Sequence, residues 1–188
     1  MDELTFPSPP LQSRAIVLRP WRDSDVPVVT RVCSEPSVAK FLVNLPTPYS
    51  EDDAISWVAS HELQRRAGTS LEMALADRAT DIALGAISAR LNLSNLSANL
   101  GYWLAPEAQG HGHMTAAVNL LCGWLFEAHS LGRIELTTDP ENYLSQRVAE
   151  RCGFQREGLL RADLLDLQTG QRRDSLMWSL LPGELISG

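Results

Sequence analysis

The spacing of hydrophobic residues changes several times along the chain, and each change marks an element. After a loose, Pro-rich start (residues 1–10), Ala15-Ile-Val-Leu18 reads as a short strand ended by Arg19-Pro20. Ser24 suits the N-cap of a helix carrying Val26, Val29 and Val32, with its end near Glu35-Pro36. Ser50-Glu-Asp-Asp53 has the form of a capping box with an acidic first turn. Ile55, Val58 and Leu63 are the expected apolar face of that second helix, and Gly68 its stop. The period then shortens: Leu71, Met73 and Leu75 alternate with polar or small residues, as in a half-buried strand. Turns at Asp77–Asp81 and in the Asn/Ser cluster 92–99 separate this run from Ile82–Leu91 and Leu100–Leu104, which predicts an antiparallel meander with Leu100, Tyr102 and Leu104 on one face.

Helical spacing returns between Gly110 and about Ala128, where Met114, Val118, Leu121 and Leu125 form a stripe. Arg133–Thr138 is a strand, and Leu144–Cys152 a short helix closed by Gly153. Strands at 154–165 and 172–180 finish the chain. The order β α α β β β α β α β β defines a mixed α/β fold, one sheet with helices on its faces, as a single domain over residues 1–188.

Composition narrows the function. A chain of 188 residues buries enough surface to need no disulfide or metal staple. With 16 basic and 23 acidic residues the formal charge is −7, which disfavours nucleic acid and favours cationic partners. Cys33, Cys122 and Cys152 include no Cys-x-x-Cys pair, as in a reduced, cytoplasmic protein. The start, MDELTFPSPP, lacks the apolar region of a secretory signal. Ala116–Phe126, the most apolar stretch, is interrupted by Asn119 and Gly123 and is too short to span a membrane.

The candidate chemistry centres on Leu104-Ala-Pro-Glu-Ala-Gln-Gly-His-Gly-His-Met114. A strand ends, Pro106 interrupts pairing, and Gly110 and Gly112 open a long helix. Free N–H groups at such a start, beside the positive end of the helix dipole, form a pocket suited to a pyrophosphate. The competing reading is a tight strand–helix turn and nothing more. Neither the dinucleotide glycine pattern, which would need glycine at Thr115, nor the Gly-x-x-x-x-Gly-Lys-Ser/Thr loop is present.

Gln109-Gly-His-Gly112-His-Met114 resembles the Gln/Arg-x-x-Gly-x-Gly/Ala signature of the GNAT superfamily of acetyl-CoA-dependent N-acetyltransferases, with Met114 departing at the sixth position. Further matches are Leu18-Arg19-Pro20 with Asp25, Pro48-Tyr49 before a helix bearing Trp57, Asn142-x-x-Ser145-x-x-Val148-x-x-x-Cys152-Gly153-Phe154-x-x-Glu157-Gly158, and Asp174. They resemble the ribosomal-protein N-terminal acetyltransferases, the RimJ/RimL-like subgroup, over about residues 11–180. The resemblance implies a twisted, mostly antiparallel sheet and transfer of acetyl from acetyl-CoA to an amine, on a protein N-terminus or a small molecule. It implies that the amides of Gly110, His111, Gly112, His113, Met114 and Thr115, with Gln109, hold the pyrophosphate. The opened strand edge at Trp103 and Leu104 would receive the pantetheine and offer an N–H to the thioester oxygen, and Asn142 would bond the pantetheine arm. Ser145 would stabilise or protonate the leaving thiolate; its bland alternative is a hydroxyl capping the first turn of a short helix.

Two departures bear on proton transfer. Many relatives carry Tyr four residues before the Gly of Gly153-Phe154, where this chain has Ala149. Many carry Glu on the strand matching Ile82–Leu91, where this chain has only Ser88 and Arg90 as polar side chains. Glu72, Asp163 and Asp166 are then either bases acting through water or solvated charges. An α-amine titrating near 8 is about a tenth neutral at pH 7, against less than about 0.1% for a lysine near 10.4, so a site without a strong base suits a low-pKa amine. The alternatives are a non-catalytic acyl-CoA-binding module and acetylation of a polycationic antibiotic or polyamine, the latter favoured by the acidic charge.

His-x-His at 111 and 113 can hold a metal, but no third ligand lies nearby in sequence. The expectation is no metal, with the two histidines replacing cationic residues common in this loop. Trp21, Trp57, Trp124 and Trp178 read as core or amphipathic aromatics. Trp57, Phe41 and Tyr49 fall where the family walls its acceptor groove. Cys152 reads as a buried helix-end residue, and Arg65-Arg66 and Arg172-Arg173 as solvated charges. A late edge strand would allow a homodimer.

Overall fold

The alternating runs form one sheet in a computed structural model that describes residues 3–186. Its strands are Ile16–Arg19 (β1), Ser70–Asp77 (β2), Ala83–Asn92 (β3), Ser97–Leu104 (β4), Arg133–Thr138 (β5), Gln155–Leu165 (β6) and Arg172–Leu180 (β7), in the order β1-β2-β3-β4-β5-β7-β6. All neighbours are antiparallel except β4 and β5, which run parallel. That parallel step needs a crossover, and helix His113–His129 (α4) supplies it. The other helices are Val26–Cys33 (α1), Pro36–Ala39 (α2), Glu51–Arg66 (α3) and Tyr143–Cys152 (α5).

The sheet separates two apolar layers. Leu71, Met73 and Leu75 of β2 and Leu121 and Leu125 of α4 share one cluster. Val29 and Val32 of α1, Ala54 and Val58 of α3, and Ala86 and Trp103 of the sheet form the other. The alternation of β2 predicts a half-buried strand, yet Ala74 and Ala76 on its second face are buried as well, and α3 packs against this strand. Alanine keeps that face thin enough for close approach of the helix.

Local signals hold where a backbone group is at stake. Ser50 Oγ accepts from Asp53 N at 3.2 Å while Asp53 Oδ2 accepts from Ser50 N at 2.8 Å, the reciprocal cap expected of α3. Its buried stripe differs from the expectation: Ala54, Val58 and His61 face the sheet, whereas Ile55 (48%) and Leu63 (72%) are exposed. Those two lie off the i, i+4, i+7 stripe, and a histidine occupies the inner position a hydrophobe would have taken. Pro36, expected to mark the end of α1, also opens the extra turn α2.

The chain is anchored rather than loose at Leu4. Leu4 is buried in the main cluster, its N–H donates to Arg65 O at 3.0 Å, and its own carbonyl accepts from the Arg65 guanidinium. Residues 1 and 2 lie outside the described residues. Arg65 also pairs with Glu62, so it is a strut and not a solvated charge. A second strut joins three segments: Arg19 donates to both carboxylate oxygens of Asp25 at 2.8 and 3.0 Å and to Asp81 Oδ1 at 2.7 Å, tying the end of β1 to the start of α1 and the β2–β3 turn. Gly153, at φ +94°, stops α5 as expected; a Cβ there would lie 2.2 Å from Glu184 O, because the C-terminal segment passes directly over it.

Candidate active site

Strand pairing itself creates the cleft. β4 and β5 are in register from Ser97↔Arg133 to Leu100↔Leu136. Beyond that point β4 continues to Leu104 along β3, and Thr137 and Thr138 continue along β7, so the two parallel strands separate. Trp178 Nε1 donates to Thr138 Oγ1 at 2.9 Å and keeps the end of β5 on the β7 side.

The alternation of a β-ladder decides which groups face the gap. Ala105 N donates to Leu84 O at 2.8 Å, so Ala105, Trp103 and Gly101 bond toward β3, and Tyr102 and Leu104 turn their main chain toward β5. This corrects the expectation for Trp103. Its main chain is paired opposite Ala86, and its buried indole packs against Trp21 and Trp57 at ring-centroid distances of 6.0 and 6.3 Å. The gap edge of β4 is thus formed by the main chain of Leu104 and Tyr102.

At the wide end of the gap, Pro106–Ala108 makes a 3₁₀ turn and α4 begins after Gly112. Gly110 and Gly112 both have left-handed φ, +81° and +77°, and a Cβ on either would meet nothing within 4 Å. The first helical bond of α4 is Ala116 N to Gly112 O at 3.0 Å. Among the described residues, the N–H groups of 110–115 have no acceptor. A run of unpartnered amides at a helix start, with open space above its glycines, fits a diphosphate. Gln109 Nε2 donates to Leu104 O at 3.0 Å, clamping the loop to the end of β4. Met114 is buried in the main cluster, so its departure from the signature sends the side chain into the core and leaves only its amide at the loop.

On the far wall, Asn142 caps α5, its Oδ1 accepting from Ser145 N at 3.1 Å. Capping is therefore the work of Asn142, and the Ser145 hydroxyl does something else: its Oγ lies 2.9 Å from Tyr102 Oη. The gap edge of β4 and the first turn of α5 thus meet through two hydroxyls. Burial pushes the Tyr102 phenol well above its ordinary range, so the ring stays neutral. Ala149 is fully buried.

Beside the gap runs a cross-tie that periodicity does not reveal. Arg173 donates to Lys40 O at 2.7 Å, pairs with the Asp139 carboxylate, and lies 3.6 Å from Asp166 Oδ2. Leu167 N donates to Val43 O at 3.0 Å. A cleft of about 60 Å³ lies beneath, lined by Phe41, Thr137, Asp139 and Arg173 among others, next to the end of the β4–β5 pairing. Phe41 therefore lines a cleft beside the gap. Trp57 is instead in an aromatic cluster with Trp21 and His61, and Tyr49 sits against Cys33, whose thiol is pushed up to about 12 by burial.

Asp166 is not a solvated charge: it is buried, and its Oδ1 accepts from Gln168 N at 2.9 Å and Thr169 N at 3.2 Å. Glu72 is half-buried on β2, with its carboxyl raised by burial, but β3 and β4 intervene before the gap. His111 and His113 stack at 5.6 Å between centroids, and no group of three or more His, Cys, Asp or Glu converges on a metal-sized site among the described residues. Among them, no helix is long and apolar enough to cross a membrane.

The fold combines a sheet opened between β4 and β5 with a run of unpartnered amides at the start of α4. Residues 15–155 match the acetyltransferase (GNAT) domain, and the chain belongs to that family of enzymes. Over 179 residues it is 29% identical to the uncharacterized N-acetyltransferase p20 of Bacillus licheniformis, covering 93% of this chain and 97% of that one. The Mycobacterium smegmatis RimJ structure in complex with CoA-disulfide superimposes with TM-score 0.79 at 26% identity, covering 92% of this chain and 85% of RimJ. RimL, the ribosomal L7/L12 alpha-N-protein acetyltransferase, in complex with coenzyme A, shares the fold with TM-score 0.76 at 21% identity, over 90% of this chain and 95% of RimL.

Proposed function

We propose that the enzyme takes acetyl from acetyl-CoA and passes it to a primary amine of low pKa, foremost a protein N-terminal α-amine. The observation that carries the reading is the run of unpartnered amides at 110–115 opening onto the β4–β5 gap. Acetyl-CoA supplies the acyl thioester; the chain binds and orients it. The amides of 110–115 hold the diphosphate, and Gln109 keeps their loop aligned with β4. The Leu104 and Tyr102 main chain offers strand-edge bonds to the pantetheine, with a gap-facing N–H for the thioester oxygen. Asn142, whose carbonyl is occupied by capping, has its amide for the same arm.

Ser145, at the narrow end, donates a hydrogen bond to the departing sulfur. The acceptor enters over Phe41 and Asp139, where the nearby carboxylates of Asp139, Asp166 and Asp174 are each engaged by other protein groups. Asp139 is paired with Arg173. Such a site depends on amines already neutral near pH 7, which favours α-amines over lysines. RimL's described action on an α-amine supports the same preference.

Thiol release from acetyl-CoA, measured with a free-α-amine peptide and with an Nα-blocked lysine peptide, tests the reading. Faster turnover of the first supports it, and equal pH-independent rates refute the preference. Tight CoA binding with no turnover on any amine would instead support an acyl-CoA-binding module, which the Ala149 position and the absence of a strong base favour. Turnover confined to polyamines would favour the polycation reading.

A further inference from the structure

In the hydroxyl pair between β4 and α5 either oxygen can be the donor, and the polarity decides what the pair can do. Tyr102 and Ser145 lie 43 residues apart in sequence, on the two walls of the gap, with Oη and Oγ 2.9 Å apart. A phenol has one proton to donate, and a serine hydroxyl has one proton and two acceptor sites. The other acceptor near Tyr102 Oη is the Ser145 carbonyl, at a longer 3.3 Å.

Resting on the donor reading above, we propose that Tyr102 is a positioning residue: its phenol donates to Ser145 Oγ, so the serine's own proton is left to point into the gap at the sulfur of the donor. In the reverse polarity Ser145 would spend its proton on Tyr102 and have none for the sulfur. The neutral state of the buried phenol agrees with its role as a donor.

The reaction needs no more than this from the pair. The amine nitrogen forms the C–N bond, the C–S bond breaks, and sulfur departs with the electron pair; the proton lost from nitrogen goes to water. A thiol of ordinary pKa, near 8.5, is a tolerable leaving group as its thiolate, so it calls for a hydrogen bond rather than a strong acid. That arrangement makes the Ala149 position intelligible: an oriented serine does what a tyrosine on α5 would otherwise do.

Free CoA provides a test that does not depend on knowing the acceptor. If Ser145 points its proton at the sulfur, the bound thiol ionises more readily than the free one. CoA affinity then tightens as pH rises, by about tenfold between pH 6.5 and 9.5. Acetyl-CoA, which has no thiol, is the control that cancels every other titration. Of the groups facing the pair, Cys122 of α4 and Cys152 of α5 are both raised by burial, Cys152 to about 12, and neither ionises in this window. Asp139, before α5, is held by Arg173.

Calorimetry is run with both ligands on the wild type, Tyr102→Phe and Ser145→Ala. The expected result is a tightening of CoA relative to acetyl-CoA with rising pH in the wild type, and a flat CoA/acetyl-CoA ratio in both variants. A wild-type slope retained in Tyr102→Phe overturns the proposal, as does a flat wild-type profile. Failure of both ligands to bind the folded wild type at millimolar concentration overturns the donor reading itself.

Discussion

His61 links acid to unfolding. Its side chain lies on the inner stripe of α3, 7% exposed, and neither ring nitrogen has a hydrogen-bond partner. The ring stands edge-on to Trp57 at 4.2 Å, with Trp21 at 6.3 Å, so an imidazolium would have lost its water and gained no acceptor. Burial lowers its pKa from 6.5 to about 4. Between those values the unfolded chain binds a proton that the folded one refuses, so this group's contribution is fully present above pH 6.5 and is lost as pH falls toward 4. A displacement of that size corresponds to roughly 3 kcal/mol in full, of which about 2 kcal/mol is gone at pH 5. Urea unfolding followed by tryptophan fluorescence at pH 7.5 and pH 5.0, on the wild type and on His61→Leu, isolates the term, because every other titrating group is common to both. Leucine removes the orphaned nitrogens while keeping a similar volume, so stability at pH 7.5 should change little. The variant should then lose about 2 kcal/mol less than the wild type on acidification. Equal losses in the two proteins would show that His61 is solvated or partnered when folded, and would refute the reasoning.

Two further outcomes follow from the backbone and the core. Gly112→Ala places a side chain on a left-handed residue whose Cβ meets nothing within 4 Å, and so does Gly170→Ala in the β6–β7 turn at φ +69°. Both should lose roughly 1–2 kcal/mol in denaturant, whereas calorimetry should find CoA affinity reduced at least about tenfold only in Gly112→Ala. Asp25→Ala leaves Arg19, whose side chain is 6% exposed, with Asp81 as its remaining carboxylate partner, and should cost about 2–3 kcal/mol in urea unfolding; a loss under about 1 kcal/mol would show that the strut adds nothing.

Much of this protein follows from its linear order. The cap at Ser50, the left-handed stop at Gly153, the meander and the stripe of α4 each depend on neighbours a few residues away, and local spacing carries that information. The amide loop belongs with them, since Gly110 and Gly112 act through their own φ angles. Whatever depends on a partner distant in sequence had no local signature. Which face of β4 meets the gap turned on a single bond from Ala105 to Leu84, and moved the edge from Trp103 to Tyr102. The Tyr102–Ser145 contact, the Arg173 tie across to Lys40 and the burial of Leu4 each join segments that only the assembled sheet brings together. His61 is the sharpest case: helical periodicity set its angle on α3, but only packing against Trp21 and Trp57 made that angle a dry one. Short-range sterics and hydrogen bonds are encoded where they act, whereas desolvation and strand-edge orientation are properties of the whole packed layer.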